Sequence, residues 1–331
     1  MNIHELDFDL QEEKKTFSRI GGAFALMVLV TAAAQYAVLS IVAALGVNLR
    51  ECPGEVKILL SVLPMYVAAV PVCIGFLKKV PGSYRPADHR WKPGWLICLF
   101  MICITVMYLG NIIGQILMFI FRTASNRAAD NALTELVLNS NLWVNFLAVA
   151  VAAPIIEELL FRKLLIDRVN RYGQGVSILV SGILFGLIHG NFYQFFYAFG
   201  LGAIFAFIYV KTGRLRYTIA LHMAINFLGS VLSVWLVRFL SSPIAMNPFE
   251  VPGDYEGTPI GLMLMGLYGI TILGCFIAGI VLMAVGWKRF KLSQGLVTIP
   301  RGLGFRTIFL NAGMLLFFLA CLIQFVLALF T

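Results

Sequence analysis

Two adjacent carboxylates, Glu157 and Glu158, interrupt the apolar stretch Ala153-Pro154-Ile155-Ile156-Glu157-Glu158-Leu159-Leu160-Phe161-Arg162. On a helix Glu158 and Arg162 share a face, with the acid on the N-terminal side, the better orientation for an ion pair; Glu157 is turned ~100° away. Such pairing neutralises one carboxylate and leaves the other free to work. A carboxylate in a desolvated site, tuned between burial and neighbouring charge, can serve as a general base near neutral pH. Two of the four histidines, His189 and His222, also fall inside apolar runs, and Asn226 follows His222 by one helical turn on the same face. Neutral imidazoles can assist a base, donate to an oxyanion or ligate a metal, and a carboxamide can donate to developing negative charge. Glu157 as base, with His189, His222 and Asn226 around it and Glu158 braced by Arg162, suits the activation of water for amide hydrolysis.

The elements that must hold these residues are membrane helices. Of 331 residues, 60% are hydrophobic and 12% charged, too little polar surface for a soluble chain. A charge at bilayer depth costs ~3 kcal/mol on insertion scales, so the two adjacent acids need a cavity or partners. The net charge of +9 does not mark a nucleic-acid binder, because the basic residues flank apolar spans instead of lining a groove. The six cysteines form no CxxC pair, which argues against a zinc knuckle or a disulfide framework. Nine stretches approach or exceed the length needed for ~30 Å of hydrocarbon: 20–45, 58–77, 94–121, 142–161, 176–190, 192–210, 217–237, 260–287 and 308–330. The first is too long for a secretory signal and reads as a retained helix. With the N-terminus in the cytoplasm, twenty of the 25 basic residues fall in inner segments, a strong positive-inside bias. The expected fold is therefore an all-α polytopic transmembrane bundle of about eight or nine spans in the cell membrane.

Between Leu160 and Gly175, charged residues alternate with apolar ones in a pattern that suits an amphipathic helix on the inner surface. The fifth span, barely 15 residues before Gly190, is short enough to stop inside the bilayer or re-enter. Gly182, Gly186 and Gly190 recur every four residues and leave one face bare for a close neighbour. His189 lies ~20 Å along that span whereas Glu157 lies ~8 Å from the inner end of its own. The two depths agree if the fifth helix is strongly tilted or, the favoured reading, if it starts well below the membrane surface with Gly173 and Gly175 in cytoplasmic solvent. The longest outer loop runs from Ser241 to Pro259 and carries no motif.

Glu157-Glu158-xxx-Arg162, Phe185-xxx-His189 and His222-xxx-Asn226, taken in order, resemble the three-motif signature of the CPBP family, the type II CAAX prenyl endopeptidases and bacterial Abi-type intramembrane metalloproteases. The resemblance runs from Leu142 to Leu228, about a quarter of the chain, and includes the Lys211-Thr212-Gly213-Arg214-Leu215 turn. It implies that Glu157 and His189 activate water, that His222 and Asn226 stabilise the oxyanion, and that Glu158 pairs with Arg162. It also implies a membrane-embedded cavity open to the cytoplasm. Many members carry tryptophan and proline where this chain has Arg216-Tyr217-Thr218. The chain divides into N-terminal spans (1–141), a catalytic core (142–236), and an outer loop with C-terminal spans (237–331). Glu157, His189 and His222 could instead hold a divalent metal such as zinc in a three-ligand site, although no helix carries HExxH. The expected partners are a hydrophobic or lipidated peptide and membrane lipids, with no nucleic acid. Two other classes remain open from sequence: a transporter relaying protons through the same residues, and a non-catalytic immunity or partner-binding membrane protein.

Overall fold

A computed structural model describes residues 8–49, 51–82, 84–125, 132–241, 259–286 and 290–330. The helices are α1 (Leu10–Ala44), α2 (Gly54–Leu77), α3 (Pro93–Ser125), the short α4 (Ala132–Leu138), α5 (Leu142–Tyr172), α6 (Gln174–Leu187), α7 (Phe192–Thr212), α8 (Leu215–Leu240), α9 (Pro259–Gly286), the short α10 (Gly304–Ile308) and α11 (Ala312–Ala328). Among the described residues there is no strand, and seven helices are long and apolar enough to cross a membrane: α1, α2, α3, α5, α7, α8 and α9. The chain is an all-α polytopic membrane bundle. Its outside is apolar to match: Val67, Phe119, Ile270 and Val285 are each roughly 70% exposed, which lipid tolerates and water does not. The loop from Ser241 to Pro259 lies, at positions 242–258, outside the described residues.

The nine apolar stretches correspond to the seven long helices and to α6 and α11, with shifted ends. α1 begins ten residues before the apolar run, at Leu10, because the Asp9 side chain caps it by accepting from the backbone N–H of Gln11 and Glu12. Helix α7 packs between α6 and α3, α9 covers α3 from outside, and α1 lies against α2 and α11. Helix α6 holds only 14 residues, a length of ~21 Å, so it falls short of a full crossing. Its contact with α7 is set by small residues. A Cβ on Gly186 would stand 2.9 Å from the Cβ and 3.1 Å from the Cα of Phe199, so only hydrogen lets the helices approach this closely. Gly186→Val is therefore expected to lower the thermal midpoint by overpacking worth ~1–3 kcal/mol. Gly75→Ala, where nothing lies within 4 Å, should leave the midpoint unchanged, and equal behaviour of the two in a detergent melting assay would refute the close-packing account.

The region after Leu160 differs from the surface helix its pattern suggests. It continues α5, and Leu160, Phe161, Arg162, Leu165, Ile166, Asp167, Arg168, Val169 and Tyr172 are all buried. The polar members of the pattern face protein partners instead of solvent. Asp167 accepts from Lys163 Nζ at 2.7 Å and from the Tyr209 hydroxyl at 2.9 Å. Arg168 donates to the carbonyls of Leu77 and Leu164, each at 2.7 Å. Arg171 and the Tyr172 hydroxyl both donate to Glu13 of α1. Gly173 is also buried, because segment 290–297 lies over the turn: Gln174 N–H donates to the Ser293 carbonyl and Val297 N–H to that of Arg171. Only Gly175 of the two turn glycines is exposed.

Prolines set the backbone around the site. Residues 145–152 of α5 and 65–69 of α2 form π turns, and each is followed by a proline, Pro154 and Pro71 respectively. A proline removes one N–H and its ring crowds the carbonyl four residues back; widening the helix to π relieves that crowding. In α5 the Ala153 N–H bonds to the Ala148 carbonyl, five residues back. In that register Pro154 would serve the Val149 carbonyl, which proline cannot do.

Candidate active site

Helices α5 and α8 run antiparallel at the site, as two contacts show: Val149 meets Asn226, and Glu158 meets His222. The Asn226 carboxamide donates to the Val149 carbonyl at 2.9 Å, filling the place Pro154 leaves empty. That commits one of its two amide N–H groups and leaves the second for another acceptor. The helix α8 starts at Leu215 despite the Arg216-Tyr217-Thr218 sequence.

Glu158 and Arg162 are both 0% exposed, and Glu158 Oε2 lies 3.1 Å from Arg162 Nε. The pair is in Coulombic contact but off the hydrogen-bond direction, and neither terminal guanidinium nitrogen has a hydrogen-bond partner. The guanidinium instead lies 4.7 Å from the Phe185 ring centroid, 5.5 Å from that of Phe205 and 6.0 Å from that of Phe161. Those ring faces supply part of the stabilisation that water would otherwise give. Glu158 Oε1 accepts from His222 Nδ1 at 3.0 Å, so Glu158 is shared between a guanidinium and an imidazole.

Glu157 has a different environment. Its side chain is 19% exposed, one oxygen accepts from the Tyr66 hydroxyl at 2.9 Å, and the other lies 3.8 Å from His222 Nε2. That last separation is beyond a direct hydrogen bond. His222 thus stands between the two carboxylates, its Nδ1 toward Glu158 and its Nε2 toward Glu157. His189 lies in the turn just after α6, where Nδ1 is 2.7 Å from the Phe185 carbonyl. A carbonyl only accepts, so Nδ1 carries the proton and Nε2 of the neutral ring is left as an acceptor. Glu157 and His222 both act on His189 electrostatically. Phe185 sets the two imidazoles edge-on to one ring, with centroids 5.0 Å away for His189 and 5.7 Å for His222.

The turn after His189 has a positive φ of 66° at Gly190, and Asn191 then caps α7 by accepting from Gln194 N–H at 3.0 Å while donating to the His189 carbonyl at 2.8 Å. Irregular backbone of this kind persists inside a membrane protein where its polar groups are satisfied by protein. The structure therefore brings Glu157, Glu158, Arg162 and His222 into one connected cluster, with His189 beside it and Asn226 one turn further along α8. Sequence reasoning missed Tyr66. The signal was an aromatic hydroxyl in an apolar span between Pro64 and Pro71, two helix-distorting residues seven apart. As for a metal, no group of three or more His, Cys, Asp or Glu among the described residues converges closely enough to hold an ion. Glu157 Oε1 is taken by Tyr66 and His222 Nδ1 by Glu158.

Fold and site together define a polytopic helical membrane protein with a buried carboxylate–imidazole cluster. Residues 139–228 match the family model for type II CAAX prenyl endopeptidase Rce1-like proteins. YdiL of Bacillus subtilis (strain 168), provisionally named a membrane peptidase, is 24% identical over 181 residues, which span 52% of this chain and 71% of YdiL. The membrane-embedded CAAX protease MroQ of Staphylococcus aureus (strain USA300) is 33% identical over 85 residues, 24% of this chain and 34% of MroQ. Over this core the chain is similar to CAAX-type membrane proteases, as its three motifs resemble those of the CPBP family. No solved structure matches it.

Proposed function

We propose that the protein is an intramembrane endopeptidase in which Glu157 activates water to hydrolyse a peptide bond in a membrane-associated or lipidated peptide. The observation that carries this reading is the division of labour between adjacent acids: Glu158 is buried and engaged by Arg162 and His222, whereas Glu157 is half-buried with one oxygen facing a histidine across 3.8 Å. A water bridging Glu157 Oε2 and the acceptor Nε2 of His189 gives up a proton to Glu157 as its oxygen attacks the peptide carbonyl carbon. His222, protonated at both nitrogens, donates Nδ1–H to Glu158 and Nε2–H to the oxyanion, and the second N–H of Asn226 adds a further donor. Before the attack, with Glu157 ionised and His222 in that form, the charges of Glu157, Glu158, Arg162 and His222 sum to zero, which a low-dielectric site favours. Collapse of the tetrahedral intermediate breaks the C–N bond, and the leaving amine takes the proton from Glu157.

The basic residues support a cytoplasmic N-terminus and a site reached from the cytoplasmic side. The CAAX prenyl endopeptidase description of the matching family supports a lipidated or otherwise hydrophobic peptide as substrate. No step of this reading runs through a metal ion. Metal analysis of the purified protein together with chelator inhibition tests whether a divalent ion such as zinc is bound at Glu157, His189 and His222.

Comparative peptidomics of membranes from cells carrying the wild type or Glu157→Ala tests the proposal without knowledge of the substrate. Peptides with new termini should accumulate only with the wild type. Identical peptide sets from both strains, at matched protein levels, would remove the hydrolytic reading.

A further inference from the structure

We infer that Tyr66, on α2 and outside the residues that match the family model, is a positioning residue that holds the Glu157 carboxylate open toward water and keeps it from closing onto His222. The inference rests on the reading of Glu157 as the base and adds the residue that sets its geometry.

The backbone brings Tyr66 to this place. The Val70 N–H bonds to the Met65 carbonyl five residues back, so the turn at 65–69 has the wider π register. In that register the next residue, Pro71, would serve the Tyr66 carbonyl and has no N–H to do so. The extra residue in the turn changes which side chains of α2 face α5, and the segment after it packs against the 159–164 stretch of α5. Tyr66 and Ile156 each pack against the edge of the main core, so the Tyr66 ring has little freedom.

The hydrogen bond then constrains Glu157. Its carboxylate only accepts, so the phenol donates, and a hydrogen bond to a charged acceptor is among the stronger kinds. With Oε1 held at 2.9 Å from the Tyr66 hydroxyl, Oε2 is the oxygen that faces His222, at 3.8 Å from Nε2. A direct charge-assisted pair would sit at ~2.8 Å, about 1 Å closer. The gap leaves Oε2 free for the water it shares with His189, and His222 Nε2–H free for the oxyanion. Freed from Tyr66, the carboxylate can rotate and close that distance. The base would then be consumed in an ion pair and the water displaced. Two tethers from different helices, Tyr66 on Glu157 and Glu158 on His222, pull the reactive pair apart.

Tyr66→Phe removes the hydroxyl and keeps the ring. The test uses purified protein in liposomes and a quenched fluorescent peptide spanning a bond that wild-type membranes show cut. The expected result is a kcat lowered about tenfold with KM within twofold of wild type, at an unchanged thermal midpoint. Tyr66→Met, which fills the space without a donor, should give the same split. If Tyr66→Phe runs at the wild-type kcat while Glu157→Gln is inactive, the positioning role is overturned and the peptidase reading survives. If Glu157→Gln turns over like the wild type, the base assignment fails and this inference fails with it. A parallel rise in KM, or loss of the folded species in both Tyr66 variants, marks Tyr66 as a packing residue and also overturns the inference.

Discussion

Glu157→Gln is expected to fold as the wild type does and to cleave its peptide slower by about 10²- to 10⁴-fold, the range that a positioned general base supplies. Glutamine keeps the size of the side chain, and its carbonyl oxygen can still accept from the Tyr66 hydroxyl that lies 2.9 Å from Glu157 Oε1. It cannot take a proton from water. Because Glu157 is 19% exposed and its 3.8 Å contact is the longer of the two that His222 makes with carboxylates, with Glu158 remaining at 3.0 Å, the thermal midpoint should change little. Initial rates with a quenched peptide in liposomes, measured beside a melting curve on the same preparation, give both quantities. Turnover within a few-fold of wild type would mean that the chemistry runs through another group. A collapsed midpoint would mean that Glu157 is part of the frame, and the inactivity would then say nothing about catalysis.

The bundle could be read from the chain because bilayers impose a simple rule: a helix that crosses must be apolar for about twenty residues, and the intervening segments must not be. That rule locates runs and says little about their ends. α1 extends back to Leu10 through Glu12, Glu13, Lys14 and Lys15, residues that no apolar window includes, because Asp9 caps it and Glu13 is buried against Arg171 and Tyr172. The same limitation misplaced the stretch after Leu160. Alternating charge looks alike whether it meets headgroups or a neighbouring helix, and only the fold reveals that Asp167 meets Lys163 and Tyr209, from α5 itself and from α7. At the site, contacts within one helix were legible. Glu158 and Arg162, four residues apart, lie 3.1 Å from each other. Contacts between helices were not. Nothing in the spacing of His222 assigns its Nδ1 to Glu158 or its Nε2 to Glu157, and nothing ties Asn226 to the carbonyl that Pro154 leaves without a donor. Tyr66 depended on a π turn, and a register change of one residue is invisible to a 3.6-residue periodicity.

Breaking the Glu158–Arg162 pair from either side is expected to cost about 3–5 kcal/mol, because each partner is 0% exposed and would strand the other's charge in a desolvated core. Arg162→Met leaves Glu158 with His222 and Thr218 but no guanidinium, and Glu158→Leu leaves the guanidinium with the rings of Phe185, Phe205 and Phe161 and the charge of Glu157. Both single variants should melt well below the wild type in detergent. The double variant Glu158→Leu/Arg162→Met removes both charges at similar volume, and such replacements are often neutral or stabilising, so its midpoint should recover most of the loss. Activity should not recover with it. Glu158 Oε1 is what holds His222 Nδ1, at 3.0 Å, and without that bond neither the second proton nor the ring plane of His222 is held for its task beside Glu157. A stable and inactive double variant is therefore the expected signature of an acid that neutralises Arg162 and orients His222 at once. If the double variant melts as low as the singles, charge neutralisation is not what the pair supplies; if it cleaves at the wild-type rate, His222 is held by something other than Glu158.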